Sequence, residues 1–329
     1  MKALMLHGGA GAWKPRPGVE NAIEAVKKCT KYGWRVLNDT NSSLETVVNA
    51  VKCMENSGYL NAGYGSAPNL LGERELDAGL MTSTGLIGAV AAVKSTRNPI
   101  LLARIVAEKT PHLLLVGENA DRLALLYSLP PLPPPPPLVM ERYCDVLKKV
   151  FKEELPADFY YRAIREFVDS NTVYSELVRR IIDVYDTVGA VALDERGILA
   201  AATSTGGVIL KLPGRVGDTP IPGAGFYATS RVACSATGIG EFIVRTMPCL
   251  RIDLEYGYRN GDLNKALDSV VKFVEKTVGV NTLGFIGVDE SGRMFYAYNT
   301  EAMLIGYVKK GEVMVELKPE PKVAVINAE

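Results

Sequence analysis

The sequence predicts an α+β fold of layered type, α on β on β on α. Three observations point to it. Helical and extended patterns alternate through the first third of the chain. After residue 186 the pattern turns to hairpins, with helical segments set between hairpins and not between parallel strands. The chain is also long and apolar, at 329 residues and 47% hydrophobic, so it can bury a large core and does not read as disordered. That length admits two ordinary domains or one large one.

The elements follow in order. Ala3 to Leu6 is a short apolar strand running into the glycine-rich turn His7 to Gly11. Val19 to Leu37 has helical spacing, with Ile23, Val26 and Trp34 on its apolar side. Leu44 to Met54 is a second helix, which Ser42 or Ser43 can cap. A loop, Asn61 to Ser66, precedes a buried strand, Ile87 to Val93. Ile100 to Lys109 is a helix opened by Pro99. Leu129 to Leu138 is a proline run, which cannot bond its own backbone and reads as an extended spacer. The alternative is a ligand for an SH3-like groove. Val139 to Tyr185 is charged and helical. Thr187 to Leu193 and Ile198 to Thr203 are strands joined by a turn at Asp194 to Gly197. Gly284 to Val288 pairs with Met294 to Tyr298, and Met303 to Val308 with Val313 to Leu317. Helices at Glu241 to Met247 and Leu263 to Val278 lie before these hairpins.

Composition excludes several functions. Lys plus Arg and Asp plus Glu both number 37, so there is no basic surplus for nucleic acid or an anionic membrane. No apolar stretch of about 20 residues predicts a membrane span. Lys2 and the short run broken at His7-Gly8-Gly9 do not make a signal peptide. The five cysteines are Cys29, Cys53, Cys144, Cys234 and Cys249; they form no CxxC pair and their number is odd. They read as reduced thiols, hence a cytoplasmic protein. The absence of glutamine beside abundant Glu, Lys and Arg points to a thermophilic source.

The chemistry has few places to reside. With only His7 and His112, and no G-x-S-x-G elbow, a Ser-His-Asp hydrolase is excluded. Zinc lacks ligands. There is no phosphate loop, and His7 to Gly11 can cradle an anion but lacks dinucleotide spacing. What stands out is a cluster of hydroxyls and glycines: Thr187, Gly189, Thr203, Thr205, Gly206, Gly207, Thr237, Gly238 and Gly240. Glycines let a backbone approach a ligand, and threonines offer a nucleophile and hydrogen-bond donors. Arg215 and Asp218, three positions apart, can hold a carboxylate and an ammonium group. Singly, such features are ordinary strand threonines and turn glycines; together they suggest a site for a zwitterion.

In combination these segments resemble the plant-type L-asparaginases and isoaspartyl peptidases. The matching stretches are HGGAGAW (7–13), NAGYGS (61–66), ELDAG (75–79), the run 87–112, DTVGAVALD (186–194), the run 202–225 and ATGIGE (236–241). That family consists of threonine N-terminal-nucleophile (Ntn) hydrolases on a four-layer αββα sandwich. The resemblance therefore implies a single-domain precursor that cuts itself between Asp186 and Thr187. The products would be residues 1–186, ending in a flexible linker of about 129–186, and residues 187–329. The freed α-amine of Thr187, ordinarily titrating at about 7.7–8.0, would be the general base for its own hydroxyl. No catalytic cofactor is then needed.

The resemblance also assigns roles. Thr205 hydrogen-bonds the nucleophile, and Asn61 orients its surroundings. Thr237 and the Gly238 N–H receive the oxyanion. Arg215 holds the substrate carboxylate, and Asp218 with Gly240 holds its ammonium. Gly9 and Gly11 line a loop near the nucleophile. A structural sodium ion is implied in the loop around Ser57 to Ser66, and a dimer of cleaved protomers is implied as the assembly. The substrate would be L-asparagine or a β-aspartyl dipeptide. GlcNAc–Asn cleavage stays open, since Asp186 before the nucleophile fits the glycosylasparaginase branch. So does a non-catalytic binding protein on the same fold. Tyr227 to Arg231 departs from the family and is expected to alter substrate fit. Thr82-Ser83 departs as well and is expected to be a surface change.

Overall fold

A computed structural model describes residues 1–13, 17–151, 187–320 and 322–328. Asp186 and most of the expected linker lie outside the described residues. The class is α+β. One sheet has eight strands in the order β12-β11-β1-β5-β6-β2-β3-β4, and the other has five in the order β13-β10-β9-β8-β7. In the first half, β1 is Ala3–Gly11, β2 Leu76–Thr82, β3 Ile87–Val93 and β4 Leu114–Val116. In the second half, β5 is Val188–Leu193, β6 Leu199–Thr205, β7 Phe226–Ala228, β8 Val232–Gly238 and β9 Leu283–Asp289. The chain closes with β10 Arg293–Tyr298, β11 Ala302–Lys309, β12 Glu312–Pro319 and β13 Lys322–Asn327. Described pairings are antiparallel except β3 with β4.

Strand alternation decides which face each residue covers. Leu4 and Leu6 of β1, with Ala190 and Ala202, pack on helices α1 (Val19–Thr40), α2 (Ser43–Glu55) and α3 (Pro99–Lys109). Ala3 and Met5, on the other face of β1, join Val191 and Ala201 against Phe226, Ile286 and Tyr296 of the smaller sheet. The outer face of that sheet, through Cys234, Phe285 and Phe295, meets Ile252, Leu267 and Val270. Those three residues lie on α7 (Pro248–Tyr258) and α8 (Leu263–Val278), and α6 (Gly240–Thr246) precedes them. Ser42 caps α2 by accepting from Glu45 N, and Asp262 caps α8 by accepting from Lys265 N. Each cap is worth about 1 kcal/mol.

The proline run is not a free spacer where it is described. Leu132 N donates to Ser95 O at 2.9 Å, and Arg74 donates to the carbonyl of Pro133. Leu129 and Leu132 pack against the core, and helix α5 begins within the run, at Pro137–Phe151. Proline lacks an N–H but keeps its carbonyl, so neighbouring donors can fix the segment without pairing it as a strand. Helix α4 (Gly117–Leu126) precedes it. Thr82 is also not a surface change: it is 3% exposed at the end of β2, its hydroxyl 2.8 Å from that of Thr84.

The reduced-thiol reading is corrected. Cys29 is bonded to Cys53 across α1 and α2, and Cys234 on β8 to Cys249 on α7; Cys144 is free and exposed. CxxC spacing detects only local pairs, whereas these partners are brought together by packing elements 24 and 15 residues apart in sequence. Each bridge should add about 3 kcal/mol by restricting the unfolded chain. Alkylation of denatured, unreduced protein is expected to label one cysteine, and labelling after reduction to reach five. Five labels before reduction would restore the thiol reading.

Candidate active site

Strand register assembles the cleft. Val188 of β5 pairs with Ser204 of β6, so one step further Thr187 stands opposite Thr205. The Thr187 hydroxyl donates to Thr205 Oγ1 at 3.2 Å. Thr205 Oγ1 also accepts from Gly207 N at 3.0 Å, which fixes the acceptor in place. Asn61 fastens the turn after Thr205: its Nδ2 donates to Gly207 O at 2.7 Å, and its Oδ1 accepts from Ala67 N at 2.8 Å. Asn61, Thr187, Thr205, Arg215, Asp218, Gly238 and Gly240 line one narrow cleft.

Thr237, the last residue but one of β8, is fully buried; its Oγ1 accepts from Ala10 N at 3.3 Å, which leaves its own hydrogen to be donated elsewhere. Gly238 closes the strand with φ of +133°, a conformation that favours glycine, and lines the cleft. Gly9 and Gly11 lie on β1 near this end, Gly9 at a bulge between His7 and Ala10 and Gly11 in regular pairing with Ala302. They do not line the cleft themselves, but Gly9 O accepts from Trp13 Nε1 at 3.2 Å.

Arg215 and Asp218 meet at Gly240. A Cβ at Gly240 would stand 2.8 Å from Arg215 Nη2 and 3.0 Å from Asp218 Oδ1, so only glycine leaves room for both. Asp218 is 3% exposed and its Oδ2 has no protein partner. Burial pushes its carboxyl up to about 7, against the pull of the Arg215 charge. An uncompensated buried acceptor of this kind suits an incoming ammonium.

Arg215 is not an open clamp. Its Nε and Nη2 donate to the two carboxylate oxygens of Glu241 at 2.8 and 2.7 Å. Burial raises the Glu241 carboxyl, but the hydrogen bond and charge of Arg215 outweigh this and hold it below its ordinary value. Tyr227 to Arg231 stands elsewhere: Arg231 and Thr229 bind Asp253, and none of the five lines the cleft.

Sequence reasoning missed three neighbours. Lys211 is fully buried behind Gly207 and donates to Glu75 O at 2.7 Å; burial lowers its pKa and the Asp77 charge partly restores it. Glu241 lay inside a quoted motif without a role. His7 is fully buried, with Nδ1 3.1 Å from Thr187 O and Nε2 2.8 Å from Ser235 Oγ. A groove of about 1050 Å³ over α1 and α2 is lined by none of Thr187, Arg215 and Asp218.

Asp218 supplies a pH test. Its folded-state carboxyl titrates near 7 against an ordinary 3.8, so ionisation penalises the ligand-free fold progressively as pH rises between those values. Ligand-free Asp218→Asn is therefore expected to melt higher than wild type at pH 8, while binding an α-ammonium far more weakly. A variant melting lower at pH 8 would show that the carboxylate is already compensated.

A family model described as asparaginase matches residues 1–316. A plant-type L-asparaginase of Pyrobaculum calidifontis is 42% identical over 324 residues, covering 96% of this chain and all of the relative. One of Pyrococcus horikoshii is 38% identical, covering 94% and 97% of the two chains. The isoaspartyl peptidase of Escherichia coli is 36% identical, covering 91% and 90%.

Proposed function

The chain belongs to the asparaginase family, and on that premise we propose that Thr187 is the nucleophile of a hydrolase acting in the cleft it shares with Arg215 and Asp218. The enzyme hydrolyses L-asparagine, isoaspartyl bonds, or both, in keeping with relatives bearing each name. Relatives from thermophilic archaea fit the glutamine-free composition. The observation that carries the site reading is the Thr187–Thr205 hydroxyl pair, 3.2 Å apart, in one cleft with a buried carboxylate and an arginine.

The reading begins with a precursor cut between Asp186 and Thr187. The Thr187 hydroxyl attacks the Asp186 carbonyl, an ester forms, and water releases residues 1–186. The new α-amine then takes the hydroxyl proton of Thr187, near its own ordinary pKa of about 7.7–8.0. Arg215 binds the substrate carboxylate and Asp218 its ammonium, which brings the side-chain carbonyl to Thr187 Oγ1. Thr237 and Gly238 N–H stabilise the oxyanion. Ammonia or an amino acid leaves, and water frees aspartate from the acyl-enzyme.

The packing of helices and two sheets around three cores supports the four-layer Ntn arrangement. The assembly we favour is a dimer of cleaved protomers. A structural sodium ion is part of the reading: carbonyls of Gly58, Leu60, Glu55 and Arg97 crowd the side-chain positions of Gly65 and Gly63, and such oxygens suit a hard cation. It supplies no step. Among the described residues no helix is long and apolar enough to cross a membrane. The cytoplasm remains our assignment, since intracellular proteins of hyperthermophiles are an exception to the scarcity of disulfides there.

The test is product release by matured protein. Ammonia from L-asparagine, or leucine from β-Asp-Leu, is expected. Inactivity on both, or cleavage of GlcNAc–Asn instead, would overturn the assignment.

A further inference from the structure

The residue that bears both nucleophile and base is, in the reading above, a chain terminus. Once residue 186 has left, Thr187 is covalently joined to the fold only through its carbonyl side. Free termini fray unless something holds them. Here Thr187 precedes the first residue of β5, Val188, and its carbonyl oxygen faces a side chain, the imidazole of His7, at 3.1 Å.

The chemistry of the partners fixes the proton positions. A carbonyl oxygen can only accept, so His7 Nδ1 must carry the hydrogen. Nε2 is then the lone-pair nitrogen, and Ser235 Oγ donates to it at 2.8 Å. Burial keeps the ring neutral by driving its pKa down to about 3, against a small upward pull from the Thr187 hydrogen bond. The pair occupies space that only glycine leaves. A Cβ at Gly189 would stand 2.0 Å from Ser235 Oγ and 2.3 Å from His7 Nε2. His7 and Gly189 are cross-strand partners of β1 and β5, and Ser235 reaches them from β8 of the other sheet. Three segments distant in sequence thus converge on one carbonyl.

We infer that His7, held as its Nδ1–H tautomer by the Thr187 carbonyl and oriented by Ser235, is a positioning residue that pins that carbonyl and so aims the α-amine and hydroxyl of the cleaved terminus. It touches no substrate. The inference rests on Thr187 being the nucleophile. Its effect should fall on kcat and leave KM alone, because Arg215 and Asp218 bind the substrate independently of it.

Two substitutions separate the contacts. Asparagine places its amide near the Nδ1 position and glutamine near Nε2. Measured per mole of chain beginning at Thr187, His7→Gln should lower kcat roughly 10- to 100-fold with KM within about twofold. His7→Asn should restore most of the loss. Ser235→Ala, which removes the hydrogen bond that orients the ring, should lower kcat in the same direction. Equal kcat in His7→Gln and wild type, or equal loss in His7→Gln and His7→Asn, overturns the pin. Wild-type protein gives a reading that does not depend on any variant folding. It has two histidines, so nitrogen-15 imidazole spectra contain two ring systems. The buried one should be neutral with hydrogen on Nδ1 at pH 7. Hydrogen on Nε2, or a protonated ring, overturns the inference. A wild-type protein without any chain beginning at Thr187 refutes the parent reading instead, and the two failures are therefore distinct.

Discussion

Thr187→Ala is expected to abolish self-cleavage and turnover together. The protein should run as one chain of 329 residues and lose amidase activity by about 10⁴-fold or more, as loss of a nucleophile does elsewhere. The reason is that one hydroxyl serves both reactions: it first attacks the peptide bond before it and later the substrate amide. Alanine removes 3.2 Å contact with Thr205 but leaves β5 and β6 paired through their backbones, so the fold should persist. Denaturing electrophoresis and an ammonia assay read both outcomes. A Thr187→Ala protein that still appears as two fragments would refute the assignment. Thr187→Ser, which keeps the hydroxyl, should restore cleavage and part of the activity.

Arg215→Ala has the second-largest expected effect, a fall in kcat/KM of roughly 100- to 1000-fold borne mostly by KM. Two losses add. The substrate carboxylate loses its guanidinium partner, and Asp218 loses the positive charge that holds its pKa down. Asp218 then becomes more protonated at neutral pH and binds an ammonium less well. Lysine should not rescue fully, because it lacks the planar fork. Glu241→Gln works in the opposite direction on the same group. Glu241 raises the Asp218 pKa, so its neutralisation should move the acid limb of kcat/KM to lower pH. Steady-state profiles of the two variants across pH 5 to 9 test this. Shifts in the same direction would break the proposed link through Asp218.

Much of the fold was legible where a local pattern had one cause. Helix α8 was read at its full span, Leu263–Val278, from an apolar stripe on a polar background. Strand β3 was read at Ile87–Val93 as a buried apolar run. Strand β8 and helix α7 were not. Val232–Gly238 is built of small residues and is buried on both faces, so it shows no alternation to read. Helix α7 follows Met247, whose left-handed φ of +47° separates it from α6; the sequence pattern ends a helix at Met247 but marks none over Pro248–Tyr258.

The site divides in the same way. Thr205, Arg215, Asp218 and Gly240 sit in short segments whose residue types suggest a ligand without reference to anything distant. The Arg215–Glu241 fork, the His7–Ser235 pair and both disulfides join residues 15 to 228 positions apart. Only packing of one sheet on the other, or of helix on helix, brings such partners together, and no spacing rule encodes that. The glycines were the indirect signal. Gly189 and Gly240 leave room for those pairs, although their sequence context alone resembles an ordinary strand or turn.

The central claim is that Thr187 becomes an N-terminus and works from there. Intact-mass analysis of wild-type protein, taken before and after incubation at elevated temperature, tests it most directly. The account predicts that the 35.6 kDa chain is replaced by two species, one of them starting at Thr187, and that amidase activity rises in step with that species. Full activity in a chain that stays uncut, or cutting at any other bond, would contradict it.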